Sequence, residues 1–244
     1  MTKRLLAILS LACALVLAAQ VATAAEEGGE LAPSNANIHD AAALQHGAKL
    51  FFNYCAGCHS LKYLRYSRMA EDLGLTKEQV MRDLNFTNAR FDDHIVSAMP
   101  EEDAAKWFGK APPDLSLEVR AKGPDWVFNY LKGFYLDPSR PVGWNNTVFP
   151  NASMPNVLWS LQGIQKAVED PHSPEGIKLA LVKPGRLTPA QYDEAVSDLT
   201  SFLEYASEPA ALIRRSMGAW VVLYIGLFTL LAYLLKRQYW KDVH

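Results

Sequence analysis

The apolar positions along the chain recur mainly at helical spacing, so the sequence predicts short helices, with no internal repeat and no strand-rich region. The best-marked helix has Thr188 as its N-cap, Pro189 at its first position and Gln191 completing a capping box. Seven apolar residues form one stripe along it: Tyr192, Ala195, Val196, Leu199, Phe202, Leu203 and Ala206. The helix ends before Glu208-Pro209, and its stripe needs a packing partner.

A second amphipathic helix is the natural partner for that stripe. Asp40 can cap this helix, and Gly47 gives it a flat position at which another helix can cross closely. Its apolar positions are Ala43, Leu44, Leu50, Phe51 and Tyr54. The segment before it, Glu26 to Asn37, is small, polar and contains proline, which predicts a loosely held stretch with order beginning near His39.

Boundary signals predict three shorter helices. They are a helix from the Thr76–Gln79 capping box through Leu84, a helix over 101–108 that closes at Gly109, and a helix bracketed by Pro124 and Gly133. Residues 137–163 keep no usable period, because four prolines and an Asn-Asn pair interrupt them. A loop of this length usually has a function.

The first of two long apolar runs has the form of a secretory signal peptide. Residues 1–24 combine two basic residues, an apolar run and the tripeptide Ala22-Thr23-Ala24. We therefore expect this segment to be removed and the exported protein to begin near Ala25. Cys13 lies in the discarded segment, so two cysteines remain.

The second apolar run, Met217 to Leu235, has 19 residues without a charge. As a helix it would span roughly 28 Å, close to the thickness of a bilayer core of about 30 Å. Basic residues follow it, at Lys236, Arg237 and Lys241, which favours a cytoplasmic C-terminus. The predicted organisation is an exported domain over 25–212, a transmembrane anchor over 213–236 and a cytoplasmic tail over 237–244.

The charge of the chain is segregated between these parts. The whole sequence carries a formal charge of −2, but residues 26–213 hold 17 Lys and Arg against 25 Asp and Glu, which leaves −8. This balance argues against nucleic acid as a partner. It serves solubility, or it steers a basic partner toward the domain.

The five residues Cys55-Ala56-Gly57-Cys58-His59 have the spacing of a covalent attachment site for a c-type haem. Two thiols at this spacing can each add to one haem vinyl group, and the adjacent imidazole can bind the iron. A structural disulfide, half of a zinc site and a thioredoxin-like pair are the alternatives. A zinc site needs four ligands, but only two cysteines remain once the signal peptide is removed. A thioredoxin-like pair sits between a strand and a helix, whereas this motif follows a helix.

The second axial ligand of such an iron would be a methionine or a histidine. The candidates are His94, His172, Met69, Met81, Met99 and Met154. Met99 and Met154 stand out because each precedes a proline, which stiffens the backbone that presents the sulfur. Met154 is slightly preferred because it lies in the long irregular segment, whereas Met99 ends a predicted helical stretch.

Motifs along the whole exported domain resemble those of the cytochrome c1 family, bacterial type. They are Cys55-Ala56-Gly57-Cys58-His59-Ser60, Trp107-Phe108-Gly109, Pro112-Pro113-Asp114-Leu115-Ser116, Phe149-Pro150-Asn151-Ala152-Ser153-Met154-Pro155 and the Glu208-Pro209 junction before the anchor. The resemblance implies a mostly α-helical, class-I-like cytochrome c domain with long irregular haem loops and one C-terminal transmembrane helix. It also implies one haem c attached through Cys55 and Cys58, His59 and Met154 as axial ligands, and Arg120 near a haem propionate.

The resemblance further implies a subunit of ubiquinol–cytochrome c oxidoreductase, the cytochrome bc1 complex. Such a subunit works beside cytochrome b, takes one electron from the Rieske iron–sulfur protein and passes it to a soluble basic c-type cytochrome. The expected location is a bacterial inner membrane with the haem domain in the periplasm. One rival is an independent membrane-anchored cytochrome that serves a terminal oxidase or reductase, and another is a gas-sensing haem protein with an open iron site.

Acidic residues near the exposed haem edge are the candidates for docking a basic partner. They form two groups: Asp92, Asp93, Glu101, Glu102 and Asp103, or alternatively Glu169, Asp170 and Glu175. The sequence does not distinguish between these groups.

Overall fold

The computed structural model describes residues 31–171 and 176–241, without the side chains of residues 215 and 216. Its helices are α1 (Ala41–Tyr54), α2 (Tyr66–Leu73), α3 (Lys77–Asp83), α4 (Glu101–Phe108), α5 (Glu118–Lys122), α6 (Pro124–Lys132), α7 (Trp159–Gln162), α8 (Pro189–Ser207) and α9 (Ala211–Tyr239). Its strands are β1 (Leu61–Arg65), β2 (His94–Ile95), β3 (Phe134–Leu136), β4 (Trp144–Asn146), β5 (Gly163–Glu169) and β6 (Ile177–Pro184). The predicted mostly helical fold is confirmed.

The crossing of α1 and α8 is the centre of the domain. A Cβ atom added at Gly47 would lie 2.1 Å from the carbonyl oxygen of Asp198 and 2.7 Å from the Cβ of Phe202, so only glycine allows this approach. Phe51 of α1 and Phe202 of α8 are fully buried beside the crossing, with their ring centroids 5.6 Å apart. The predicted pairing of the two amphipathic helices is therefore confirmed.

The predicted helix boundaries are also confirmed. The Asp40 side chain accepts hydrogen bonds from the N–H groups of residues 42 and 43 and so caps α1. Complete capping boxes begin α3 and α8, at Thr76 with Gln79 and at Thr188 with Gln191. The helices α4 and α6 begin and end where the sequence signals place them.

A four-stranded sheet contradicts the prediction that the chain has no strand-rich region. Its strand order is β4-β3-β5-β6, with β3 parallel to β5 and the other pairs antiparallel. The C-terminal halves of β5 and β6 are exposed, so these strands lack the alternation of buried and exposed residues that marks a half-buried strand.

The segment from Leu31 to Asn37 is held in place, so the prediction that order begins near His39 is wrong. The backbone N–H of Ser34 donates to the Asp125 carboxylate at 2.7 Å, and the N–H of Asn37 donates to the Ser201 hydroxyl at 2.9 Å. These bonds join the segment to α6 and α8, partners more than ninety residues away in sequence. Only the tertiary fold brings those partners close.

The helix α9 begins at Ala211 and runs without a break to Tyr239. Its part from Met217 to Tyr239 contains an 18-residue window with a mean hydropathy of 2.1, and no residue of that window is buried by the rest of the protein. Among the described residues it is the one helix whose length and composition suit a membrane span. The predicted cleavable segment 1–24 lies outside the described residues.

Candidate cofactor site

The Cys55–His59 motif forms a tight turn at the C-terminal end of α1. The N–H of Cys55 still bonds to the Phe51 carbonyl at 2.8 Å, and the N–H of His59 bonds to the Cys55 carbonyl at 2.8 Å. This turn places the two thiols and the imidazole on one cavity, and all three side chains line it. Both cysteines are free thiols in the structure.

The cavity is lined mainly by apolar and aromatic side chains from α1, α4, α5, α6, α8 and the irregular segments between them. Its apolar lining includes Val119, Val127, Leu131, Phe149, Ala152, Val157, Leu199 and Leu203. The charged side chains among the lining residues are Lys110, Glu118 and Lys122. Such a lining suits a large flat hydrophobic group that is held by a few polar contacts.

His59 is oriented by a hydrogen bond to the backbone. Its Nδ1 lies 2.8 Å from the carbonyl oxygen of Pro113, and because a carbonyl only accepts, Nδ1 carries the proton. The lone pair of Nε2 is then available for a metal, which is the usual arrangement of a histidine ligand. Burial lowers the pKa of His59, against smaller opposing effects of the Pro113 bond and of nearby Glu118 and Asp114, so the ring is neutral at pH 7.

The thiols do not have the properties of a dithiol redox pair. Burial raises the pKa of Cys55 to about 12, with a further contribution from the charge of Cys58, and burial also raises the pKa of Cys58. A redox-active cysteine needs an accessible thiolate, which a lowered pKa supplies. The raised values therefore disfavour the thioredoxin-like alternative. A zinc site is disfavoured because no group of three or more His, Cys, Asp or Glu side chains among the described residues could hold a metal ion.

Met154 lines the same cavity as the motif. The Tyr130 hydroxyl donates a hydrogen bond to its sulfur, with 3.6 Å between the two atoms. Burial raises the pKa of Tyr130 to about 12, with a smaller contribution from Glu118, so this hydroxyl keeps its proton at neutral pH. Two thiols, an imidazole with a free Nε2 and a thioether on one apolar cavity form a donor set that fits a c-type haem.

The other candidate ligands do not line this cavity among the described residues. Met69 of α2 is fully buried in the hydrophobic core, and His94 is exposed on β2. Met81 and Met99 are partly exposed at other positions, and neither contributes to the lining. His172 lies outside the described residues.

Asn145 and Asn146, which in the sequence only interrupt the apolar period, hold the segment that leads to Met154 through side-chain hydrogen bonds. The Asn146 amide donates to the Tyr130 carbonyl at 2.7 Å, and its oxygen accepts from the N–H groups of Val148 and Phe149. Asn145 accepts from the N–H of Asn151 at 2.8 Å. Both side chains are at least nine-tenths buried, so they replace the regular backbone bonds that this segment lacks.

Arg120 is exposed on α5 and is not among the residues that line the cavity. Glu118, Val119 and Lys122 of the same short helix do line it. Its role near a propionate stays a prediction, and Lys110 and Lys122 are the basic side chains that the structure brings to the cavity.

Comparison with known proteins agrees with this site. Residues 34–243 match the sequence profile of the Cytochrome C1 family. The chain is 51% identical to cytochrome c1 of Allochromatium vinosum, over 94% of this chain and 96% of that one. It is 39% identical to a protein named ammonia monooxygenase gamma subunit from Nitrosomonas europaea, over 95% and 96% of the two chains. It is also 27% identical to a protein named cytochrome b/c1 from Bradyrhizobium diazoefficiens, over 90% of this chain and 37% of that longer one.

These matches cover the described domain, its cavity and its C-terminal apolar helix in one continuous stretch. The resemblance that the motifs carry is therefore confirmed. The chain belongs to the cytochrome c1 family, and this membership implies a c-type haem and electron transfer within the cytochrome bc1 complex.

Proposed function

We propose that this chain passes one electron from the Rieske iron–sulfur protein of a ubiquinol–cytochrome c oxidoreductase to a soluble c-type cytochrome. The observation that carries the proposal is the single apolar cavity that unites Cys55, Cys58, His59 and Met154. A haem c bound there, attached through the two cysteines, would supply the one-electron chemistry.

The residues of the chain hold that group in an environment suited to electron transfer. In this proposal the two thiols fix it covalently, while His59 presents Nε2 and is kept in orientation by the Pro113 carbonyl. Met154 would supply a second iron ligand from the same cavity, and the apolar lining would exclude water. With two protein ligands the site would reorganise little when its charge changes and would lack the open position that a gas sensor needs.

The proposed organisation in the cell is the one that membership of the cytochrome c1 family implies. The segment 1–24 is a cleaved signal peptide, residues 25–212 form a periplasmic domain, and 213–236 anchor it in a bacterial inner membrane, with 237–244 as the cytoplasmic tail. The apolar helix Met217–Tyr239 supports the anchor, and Lys236 and Arg237 in its last turn support a cytoplasmic C-terminus.

Cytochrome b is the proposed neighbour in the membrane. The name of the longer Bradyrhizobium relative, cytochrome b/c1, joins the two proteins in one chain and supports this partner. The chain therefore acts as a subunit of the reductase and itself carries electrons without making or breaking bonds. An independent membrane-anchored shuttle remains the second candidate, because a mono-haem domain on an anchor could also work alone.

The structure favours one of the two acidic groups as the docking site for a basic cytochrome. Glu101, Glu102 and Asp103 form the first turn of α4, and the other end of this helix, at Phe108, lines the cavity. Glu169 ends β5 on the exposed hairpin, which contributes no residue to the cavity lining. The carboxylates of the first turn of α4 are therefore the proposed docking group, because they lie on a helix that reaches the cavity. Glu175 of the other group lies outside the described residues.

Neutralising Glu101 and Glu102 together with glutamine should slow electron transfer to a basic cytochrome c. We expect a loss of about fivefold at low salt and a smaller loss at high salt, because steering by exposed charges is screened within about one Debye length. The measurement is the stopped-flow rate of cytochrome c reduction as a function of ionic strength. Glu169→Gln with Asp170→Asn removes the same formal charge and should have little effect.

A rate of cytochrome c reduction that changes neither with the two pairs of substitutions nor with ionic strength would contradict electrostatic docking at this domain. A loss confined to the Glu169 and Asp170 variant would move the docking site to the β5–β6 hairpin.

A further inference from the structure

Tyr130 touches the proposed axial ligand and has no role assigned so far. Its hydroxyl oxygen lies 3.6 Å from the sulfur of Met154, and both side chains line the cavity. We propose that Tyr130 raises the reduction potential of the bound haem by hydrogen bonding to the Met154 thioether. The inference rests on the proposed function, in that Met154 must be an iron ligand.

The Tyr130 ring packs against two aromatic side chains, those of Trp126 and Phe134. Trp126, one turn earlier on α6, stacks on it with centroids 5.1 Å apart and planes 7° apart. Phe134 meets it edge to face at 5.0 Å. A tyrosine has few torsions to order, and this aromatic packing holds the ring with its hydroxyl beside the sulfur.

The backbone of the same residue holds the segment that delivers Met154. The Tyr130 carbonyl accepts the hydrogen bond from the Asn146 amide at 2.7 Å, and Asn146 in turn organises the residues before Phe149. One residue of α6 therefore contacts the methionine through its side chain and fixes the methionine's loop through its main chain. The distance between the hydroxyl and the sulfur is thus set by structure on both sides.

The direction of the effect follows from the electron pairs on a thioether. When one pair is donated to a metal, a hydrogen bond to the other draws electron density from the sulfur and makes it a weaker donor. Ferrous iron favours a thioether because it can return electron density to the sulfur, whereas ferric iron relies on donation from the sulfur alone. A hydrogen bond that weakens this donation therefore destabilises the oxidised state more. Loss of the hydroxyl should therefore lower the potential while the methionine stays bound.

The test is Tyr130→Phe in the full-length, haem-loaded, membrane-bound protein, with the midpoint potential as the first readout. We expect a fall of less than tenfold in the redox equilibrium constant, which is less than 59 mV for a one-electron couple. Tyr192→Phe is the matched control, because it also removes a buried hydroxyl, one that donates to the Leu131 carbonyl at 3.0 Å and does not line the cavity. Its potential should equal that of the parent.

The second readout separates an electronic effect from a loosened pocket. Without the hydrogen bond the ferric iron–sulfur bond is stronger, so imidazole added to ferric Tyr130→Phe should bind more weakly than to the parent. A pocket that had merely loosened would bind imidazole more tightly. An unchanged potential, or tighter imidazole binding, in Tyr130→Phe would overturn the proposal.

Failure of the underlying ligand assignment gives a different result. If Met154 were not a ligand, Met154→Leu would leave the potential and the ligand-binding behaviour of the parent unchanged. Both variants are therefore measured together. A potential that is unchanged in Tyr130→Phe but lowered in Met154→Leu would overturn the inference about Tyr130 and leave the ligand assignment intact.

Discussion

Met154→Leu is expected to lower the reduction potential of the bound haem sharply and to let the reduced protein bind carbon monoxide. Thioether sulfur favours ferrous over ferric iron, and the leucine that replaces it offers no donor atom. We expect a fall of well over 59 mV, which is more than a tenfold change in the redox equilibrium constant. Leucine keeps the side-chain volume nearly constant, so a packing defect does not imitate the loss of a ligand.

Met99→Leu is the matched control for this substitution. Met99 also precedes a proline but does not line the cavity, so its variant should keep the parent's potential and remain closed to carbon monoxide. The covalent haem should survive in both variants, because Cys55 and Cys58 are untouched. The reverse pattern would assign the ligand to Met99, and unchanged behaviour in both would point to a histidine, with His94 the first to test. Carbon monoxide binding by the reduced parent would instead favour the gas-sensor alternative.

Gly47→Ala is expected to destabilise the domain although it adds only one methyl group. Alanine gains up to about 1 kcal/mol of helix propensity over glycine. That gain is outweighed, because the added Cβ would lie 2.1 Å from the Asp198 carbonyl oxygen and 2.7 Å from its carbon, which are backbone atoms of α8. The two helices must separate, and overpacking of this kind costs about 1–3 kcal/mol or more. We expect a net loss of about 2 kcal/mol in the free energy of unfolding.

The measurement is urea unfolding of the haem-loaded protein in mild detergent, followed by the circular dichroism of the helices. Gly57→Ala is the control, because an added Cβ there meets nothing within 4 Å. Stability of Gly47→Ala within about 0.5 kcal/mol of the parent would show that α1 and α8 can separate freely. The close crossing would then not be the element that fixes the end of α1 and the haem motif beside the cavity.

The parts of the fold that the sequence predicts are those with local causes. The capping boxes at Thr76 and Thr188 and the Asp40 cap satisfy backbone groups within three residues, so each helix start can be located without knowing the tertiary structure. The crossing at Gly47 could also be predicted, although it is not a local feature. The apolar stripe of α8 needs a packing partner, and α1 offers an amphipathic face with a glycine at which another helix can approach closely.

The parts that the sequence missed depend on contacts between distant residues. The parallel pairing of β3 with β5 joins Leu136 to Lys166, and the bonds of Ser34 and Asn37 reach α6 and α8. Neither the strand pairing nor these hydrogen bonds can be predicted from a local apolar period or a turn signal. Asn145 and Asn146 carry a weak signal, because two adjacent asparagines in a loop beside a candidate ligand are suited to replacing missing backbone bonds.

The choice of the axial methionine shows the same limit within the site. Met99 and Met154 have the same local pattern, a methionine followed by proline, and the irregular segment around Met154 distinguishes them only slightly. The structure shows that the chain folds Met154, and not Met99, against the cavity beside the Cys55–His59 turn. The family resemblance pointed to Met154, and the cavity lining agrees with it. The Tyr130 contact was not foreseeable, because the tyrosine and the methionine are 24 residues apart and meet only through the loop that Asn146 shapes.

The most direct test of the central claim is purification of the chain from its native membranes in a gentle detergent, followed by an optical spectrum and quinol addition. We predict that a b-type haem and an iron–sulfur protein co-purify with it, and that ubiquinol reduces its c-type haem only while the iron–sulfur protein is present. A preparation that contains the c-type haem alone, or one whose c-type haem is reduced by quinol at the same rate after the iron–sulfur protein is removed, would contradict a place in the reductase and favour the independent shuttle.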